Sequence, residues 1–188
     1  MLHLYQKNSK GECYMSYTAC FTGHRPQSLM CGFDETHPAC IKIKNQLERL
    51  IIGLIEKKNV THFISGVALG VDTWAAEIVL ELKDDYSNIT LEAAIPCRSQ
   101  ADRWNIVSKK RYNRLLLLCD KVTYVNEAYT KNCMMERNIY MVDNSDYVVA
   151  VWNGKPSGTG KTVEYEVNCG KDVFYVAPNT FLMKNIKF

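Results

Sequence analysis

Between Tyr147 and Glu166 the chain reads YVVAVWNGKPSGTGKTVEYE. A valine-rich apolar run, Val148 to Val151, meets a loop holding Gly154, Gly158 and Gly160 around Pro156, and helix-compatible spacing resumes at Thr162. A strand that feeds a glycine-rich turn into a helix leaves free backbone N–H groups and the positive end of the helix dipole at one point. That point suits an anion, most often a phosphate. Gly158, Thr159, Gly160, Lys161 and Thr162 are therefore candidate ligand-binding residues. Three readings stay open. Gly160-Lys161-Thr162 ends like a phosphate-binding P-loop, but Lys155 stands where that motif needs its first glycine and Gly154 comes one place too early. The glycines could simply connect a strand to a helix. Or the loop shares one site with other turns of the chain.

Three other stretches supply such turns. The apolar run Tyr17 to Thr22 enters Gly23-His24-Arg25-Pro26, and Pro26 ends regular structure, so Thr22, Gly23, His24 and Arg25 are displayed at a strand end. Arg25 has the fork geometry that grips a phosphate or carboxylate, while His24 alone would equally suit a loop histidine bonded to backbone. The strand Thr61 to Ser65 enters Gly66, Gly70 and Asp72 ahead of a helix. This G-x-x-x-G-x-D spacing differs from the dinucleotide fingerprint G-x-G-x-x-G, and Asp72 either caps the helix or accepts ribose hydroxyls. The strand Ile89 to Ile95 leads to Arg98, Gln100, Arg103 and Trp104, a set able to stack a base and hold phosphates, although a tryptophan is as often core.

These turns need a framework that brings them together. Ile41 to Lys58 has apolar residues at helical spacing, Gln100 to Leu118 and Tyr129 to Asn144 read as further helices, and Lys121 to Val125 and Val173 to Val176 as further strands. About six strands alternating with about five helices predict an α/β, Rossmann-like, doubly wound and mainly parallel sheet with helices on both faces. All carboxyl ends of a parallel sheet share one rim, so the separate turns can meet over one ligand.

The 188 residues suit a single domain over 17–188, after an extension over 1–16 that is a candidate for disorder, with Met15 an alternative start. Hydrophobic residues at 47% and charged residues at 23% are ordinary for a globular protein. No apolar run reaches membrane-spanning length and no secretory signal opens the chain, so a cytoplasmic protein is expected. A net charge of +3 with interspersed signs gives no nucleic-acid footprint, and nucleic acid is not the expected partner. None of the eight cysteines pairs as C-x-x-C, and Cys31, His37 and Cys40 lack a recognised zinc spacing, so no metal is expected.

FTGHRP, FISGVALGVDTWAAE, PCRSQADRW, MMERNIYMVDNSDYVVAV and PSGTGKTVEY, in this order from Thr18 to about Pro178, resemble the YpsA-like branch of the SLOG superfamily. That superfamily of Rossmann-like domains includes DprA DNA-binding proteins, molybdenum-cofactor carrier-like proteins and LOG phosphoribohydrolases. The resemblance implies a bound nucleotide, or an NAD- or ADP-ribose-derived molecule, held by a sensor or sequestering protein with no further cofactor, and a homodimer. The LOG pattern M-x-x-R-K followed by P-G-G-x-G-T-x-x-E is similar to Met134 to Asn138 and Pro156 to Glu164. It implies an alternative activity, hydrolysis of the N-glycosidic bond of a nucleoside monophosphate, with Arg137 and Glu164 as the catalytic residues. A carboxylate would steady positive charge developing on ribose and orient water. Asn138 replaces the pattern's lysine, Ser157 its first glycine and Lys161 its threonine.

Overall fold

The computed structural model describes residues 4–7, 13–180 and 183–186, with side chains over 15–180. In chain order the elements are β1 (Leu4–Lys7), β2 (Cys13–Gly23), α1 (Pro38–Lys58), β3 (Val60–Ser65), α2 (Val71–Leu82), β4 (Thr90–Ile95), α3 (Ile106–Leu118), β5 (Lys121–Tyr124), α4 (Cys133–Asp143), β6 (Tyr147–Val151), α5 (Gly158–Asn168), β7 (Asp172–Val176) and β8 (Met183–Ile186). One sheet runs β5-β4-β3-β2-β6-β7-β8, with β1 beside β2. The strands β2 to β7 pair in parallel; β1 and β8 are antiparallel additions. The expected Rossmann-like α/β fold is thus present.

Strand alternation sorts the core onto two faces. Phe21, Phe63 and Val149 point to the layer of α1, α2 and α3, where Ile43, Leu47, Trp74 and Leu115 meet them. Cys20, Ile64 and Val148 point the other way, against Met141 and Val142 of α4, and Ala150 and Val173 against Val163 of α5. From β2 the chain winds outward through β3, β4 and β5, then returns to lay β6 and β7 on the other side of β2. The sheet order reverses between β2 and β6, and the crevice beyond their carboxyl ends is where open α/β sheets bind ligands.

Several boundaries differ from the sequence expectation, among them the start of α4, at Cys133 rather than Tyr129, and of α1, at Pro38 rather than Ile41. The first parallel strand begins at Cys13 rather than Tyr17, so part of the 1–16 extension is sheet; its residues 1–3 and 8–12 lie outside those described. The helix expected from Gln100 begins at Ile106, because the Asn105 side chain accepts from Ser108 N at 2.8 Å and caps it. Residues 97–104 instead form successive turns, Gln100 N to Cys97 O, Asp102 N to Ser99 O and Trp104 N to Ala101 O. The last helix starts earlier than expected, at Gly158, where Ser157 caps it by accepting from Gly160 N at 3.0 Å.

Candidate functional site

The carboxyl end of β2 and the amino end of α5 face each other across the switch point. Between them a cavity of about 200 Å³ is lined by Thr22, Gly23, His24, Arg25, Ser28, Asp72, Met134, Arg137, Asn138, Ser157, Gly158 and Thr159. Three turns distant in sequence therefore do meet, as the parallel sheet requires, joined by one face of α4; the turn after β4 does not line this cavity.

Arg137 is the buried cation in the wall of this cavity. It lies on α4 and is buried, with its Nη1 at 3.5 Å from Asp72 Oδ2 of α2, within ion-pair reach but not hydrogen bonded. Its Nε donates to Asn138 Oδ1 at 2.9 Å, Asn138 Nδ2 donates to Thr162 Oγ1 at 2.8 Å, and that hydroxyl donates to Gly158 O at 3.1 Å. This chain ties the guanidinium to the first turn of α5. Nη1 is closed to solvent and finds no hydrogen-bond acceptor among the described residues. Burial lowers the pKa of Arg137, with Asp72 opposing the shift, yet a guanidinium stays charged at any ordinary pH. Burial likewise raises the Asp72 carboxyl, with Arg137 and Arg25 pulling it back.

Gly66 makes this placement possible, since a Cβ there would lie 1.3 Å from Arg137 Nη1 and 2.7 Å from Asp72 Oδ2. Gly70, at φ 93°, sits where its Cβ would strike His24 O at 2.7 Å, so the start of α2 approaches the β2 turn closely. The electrostatic balance of the pocket is two guanidiniums, Arg25 and Arg137, against one carboxylate, Asp72. The N–H groups of Gly158 and Thr159, in the first turn of α5, add positive dipole to that excess. The arrangement is built to receive an anion, with Asp72 available to accept a hydroxyl.

The remaining expected residues divide into supports and outsiders. His24 lines the cavity, but its Nε2 accepts from Asn153 N at 3.1 Å, which clamps the glycine-rich loop to β2; burial holds its pKa below the ordinary value. Ser65 is a support: its hydroxyl donates to Asp72 O at 2.8 Å and accepts from Val67 N at 3.1 Å. That grip steadies Val67 at φ 45°, a left-handed conformation unfavourable for a β-branched residue. Thr162 acts through Asn138, and Gly160 packs under the Trp152 ring. Gln100 and Trp104 line a neighbouring cavity instead. Arg98 is outside: it bonds to Glu127 at 2.8 Å and stacks over Tyr124.

Lys161 and Glu164 are exposed on α5 and absent from the cavity lining. The buried face of that helix is Thr159, Thr162, Val163 and Glu166, so Glu164 falls on the opposite side and does not join Arg137. Sequence reasoning missed Ser28, Met134 and Ser157 as lining residues. A signal existed only for Ser157, a capping residue type one place before the helix. His37, weighed as a metal ligand, caps α1 by accepting from Ala39 N at 3.1 Å.

The YpsA family model, described as the YspA SLOG family, matches residues 19–172. An uncharacterized SPbeta prophage-derived protein of Bacillus subtilis (strain 168), YoqJ, is 33% identical over 141 residues, 69% of this chain and 82% of that protein. A UPF0398 protein of Bacillus pumilus (strain SAFR-032) is 30% identical over 142 residues, 74% of this chain and 75% of its own. Among solved structures, DNA processing protein A of Streptococcus pneumoniae superposes with a TM-score of 0.58 at 21% identity, over 86% of this chain and 50% of that one. DNA processing protein A of Helicobacter pylori, described for its single-stranded DNA binding mode, gives 0.57 at 17% identity, over 86% and 65%. The present chain thus spans half to two-thirds of these neighbours, and the likeness is one of fold. Among the described residues no helix is long and apolar enough to cross a membrane.

Proposed function

Because the chain belongs to the YspA SLOG family, we propose that it binds a phosphorylated ribose ligand, a nucleotide or an NAD- or ADP-ribose-derived molecule, at the crevice between β2 and β6. Its role is that of a sensor or sequestering protein. The observation that carries this reading is Arg137, a buried guanidinium with an unpartnered Nη1 beside Arg25 and the amino end of α5. A phosphate oxygen in the cavity supplies the missing acceptor once the guanidinium turns Nη1 away from Gly66 toward it; a hydrogen bond to a charged group contributes about 1.5–3 kcal/mol, roughly 10- to 150-fold in affinity. Asp72 then accepts from a ribose hydroxyl.

Titration calorimetry with AMP, NAD, ADP-ribose and inorganic phosphate tests the reading, with Arg25→Ala as the variant. Binding that weakens about tenfold in the variant supports it, and equal affinity in both proteins refutes it. The hydrolase alternative is less favoured because Glu164, its carboxylate, lies on the solvent side of α5. Chromatography of the same incubations separates the two: free base or ribose phosphate that disappears in Glu164→Gln means hydrolysis. A strand-binding reading draws on the H. pylori neighbour. Tight, strongly salt-dependent oligonucleotide binding without mononucleotide affinity would favour it.

A further inference from the structure

The anion cavity, at about 200 Å³, is smaller than the usual range of roughly 300–1,000 Å³ for small-molecule sites. Met134 forms part of its wall and also part of the wall of a second cavity of about 480 Å³. The second cavity is lined by Cys97, Gln100, Trp104 and Tyr129 as well, with Asp102 and Arg103 exposed beside them. The two spaces are therefore neighbours across one flexible thioether side chain. Together they offer a charged compartment and a larger aromatic one.

Trp104 is not a free surface ring. It packs edge-on against Tyr112 at 5.3 Å and 75°, and Tyr112 is buried, so the plane of the indole is held. Tyr129, on the connection between β5 and α4, is by contrast 67% exposed. A fixed ring and an exposed ring lining one cavity beside a methionine are the makings of a stacking site for a planar heteroaromatic group. Gln100 adds polarity with a known orientation. Its Nε2 reaches the carbonyls of Gly66 at 3.2 Å and Val67 at 3.4 Å, which identifies the nitrogen end and leaves Oε1 as the other. Oε1 is buried and has no hydrogen-bond partner. Because the two Nε2 contacts are long, a modest turn of the amide presents Oε1 to the cavity.

We propose that this second cavity is the base subsite of the ligand: it takes a nucleobase bearing an exocyclic amino group, stacked on Trp104 and Tyr129, with the amino group donating to Gln100 Oε1. The proposal rests on the phosphate-binding reading above, and it specifies which half of the ligand lies in which cavity. Gln100 connects the two, since the backbone it holds at Gly66 is the floor under Arg137.

The test compares ribose 5-phosphate, AMP and IMP by calorimetry on the native protein, on Tyr129→Ala and on Trp104→Leu. AMP is expected to bind at least tenfold more tightly than ribose 5-phosphate, and several-fold more tightly than IMP, which lacks the amino group. Removing a base–aromatic stack weakens binding by about 5- to 100-fold, so each variant should lose affinity for AMP on that scale and keep its affinity for ribose 5-phosphate. Trp104 also packs in the fold, so Tyr129→Ala, at an exposed ring, decides the matter if Trp104→Leu does not fold. Ribose 5-phosphate and AMP binding equally, or Tyr129→Ala leaving AMP affinity unchanged, overturns the base subsite and spares the phosphate site. AMP and IMP binding alike overturns the role given to Gln100. Affinity for neither ribose 5-phosphate nor AMP overturns the phosphate reading and the subsite with it.

Discussion

Glu166 gives the sharpest prediction about the fold. It lies on the buried face of α5 with none of its surface exposed, and neither carboxyl oxygen has a hydrogen-bond partner among the described residues. The Cys20 thiol of β2 is near enough to feel its charge and is itself pushed up by burial, while the Lys171 ammonium donates to the Ser145 carbonyl. Burial alone raises the Glu166 pKa from 4.5 to about 8. Below pH 4.5 the group is protonated whether the chain is folded or not, and no penalty exists. Between 4.5 and about 8 the unfolded chain ionises and the folded one resists, so this group makes stability fall as pH rises. At 1.36 kcal/mol per pH unit the ceiling is about 4–5 kcal/mol, and relaxation of the surroundings should leave about 2–4 kcal/mol. Glu166→Met replaces the carboxyl by an unbranched apolar side chain. Urea unfolding at pH 5 and pH 9 should show the variant gaining about 2–4 kcal/mol relative to the native protein between those values. A stability difference that does not change with pH would refute the reasoning, whatever its size, because it would mean the carboxyl titrates normally in the fold.

Gly158→Asp separates binding from folding: a Cβ at Gly158 meets open space, and an acidic residue in a first helical turn stabilises by about 0.3–1 kcal/mol. The melting temperature should hold or rise while AMP affinity falls by more than about tenfold, read by calorimetry, because the new carboxylate faces the anion pocket. Gly66→Ala should do the reverse in kind, displacing Arg137, stranding Asp72 as a buried charge and lowering stability by about 3–5 kcal/mol in urea unfolding. A loss under about 1 kcal/mol would mean the guanidinium has room to move. Glu92, buried in β4, tests the acid side: burial works to raise its pKa, but hydrogen bonds from His62, Thr123, Tyr140 and Lys121 outweigh it and hold it at about 2. Its contribution, about 3 kcal/mol at most, is complete above pH 4.5 and lost as pH falls toward 2, so Glu92→Gln should flatten the acid limb of the unfolding curve.

The alternation of apolar runs and helical spacing made the parallel sheet legible, because strands buried on both faces read as uninterrupted apolar segments such as Val148 to Val151. The gathering of Gly23 to Arg25, Asp72 and Gly158 at one rim followed from that topology without any contact being known. What could not be read was rotation. Glu164 and Glu166 stand two residues apart and so cannot share a helix face, and choosing between them requires the phase of α5. That phase is set by Val163 packing on Ala150 and Val173, a tertiary fact. Motif spacing therefore selected the glutamate that faces solvent. Gln100 and Trp104 were misplaced onto a helix for a related reason: the apolar pattern runs past Asn105, whose side-chain cap sets the boundary.

The Asp72–Arg137 pair carries the deeper argument. A buried ion pair lacking a hydrogen bond between its members contributes little to stability, since desolvation of both charges opposes their attraction at 3.5 Å. A pair of apolar side chains would serve the core at least as well, and Gly66 would then be free to carry a side chain and stiffen its loop. The fold instead keeps a bare glycine beneath the guanidinium and directs Asn138 and Thr162 to tie it to α5. The bare glycine and the desolvated ion pair are costly for folding, and all of these features are useful for presenting positive charge to an anion between β2 and β6. Their coincidence at the one crevice where the strand order reverses is what sequence spacing, taken loop by loop, could only suggest.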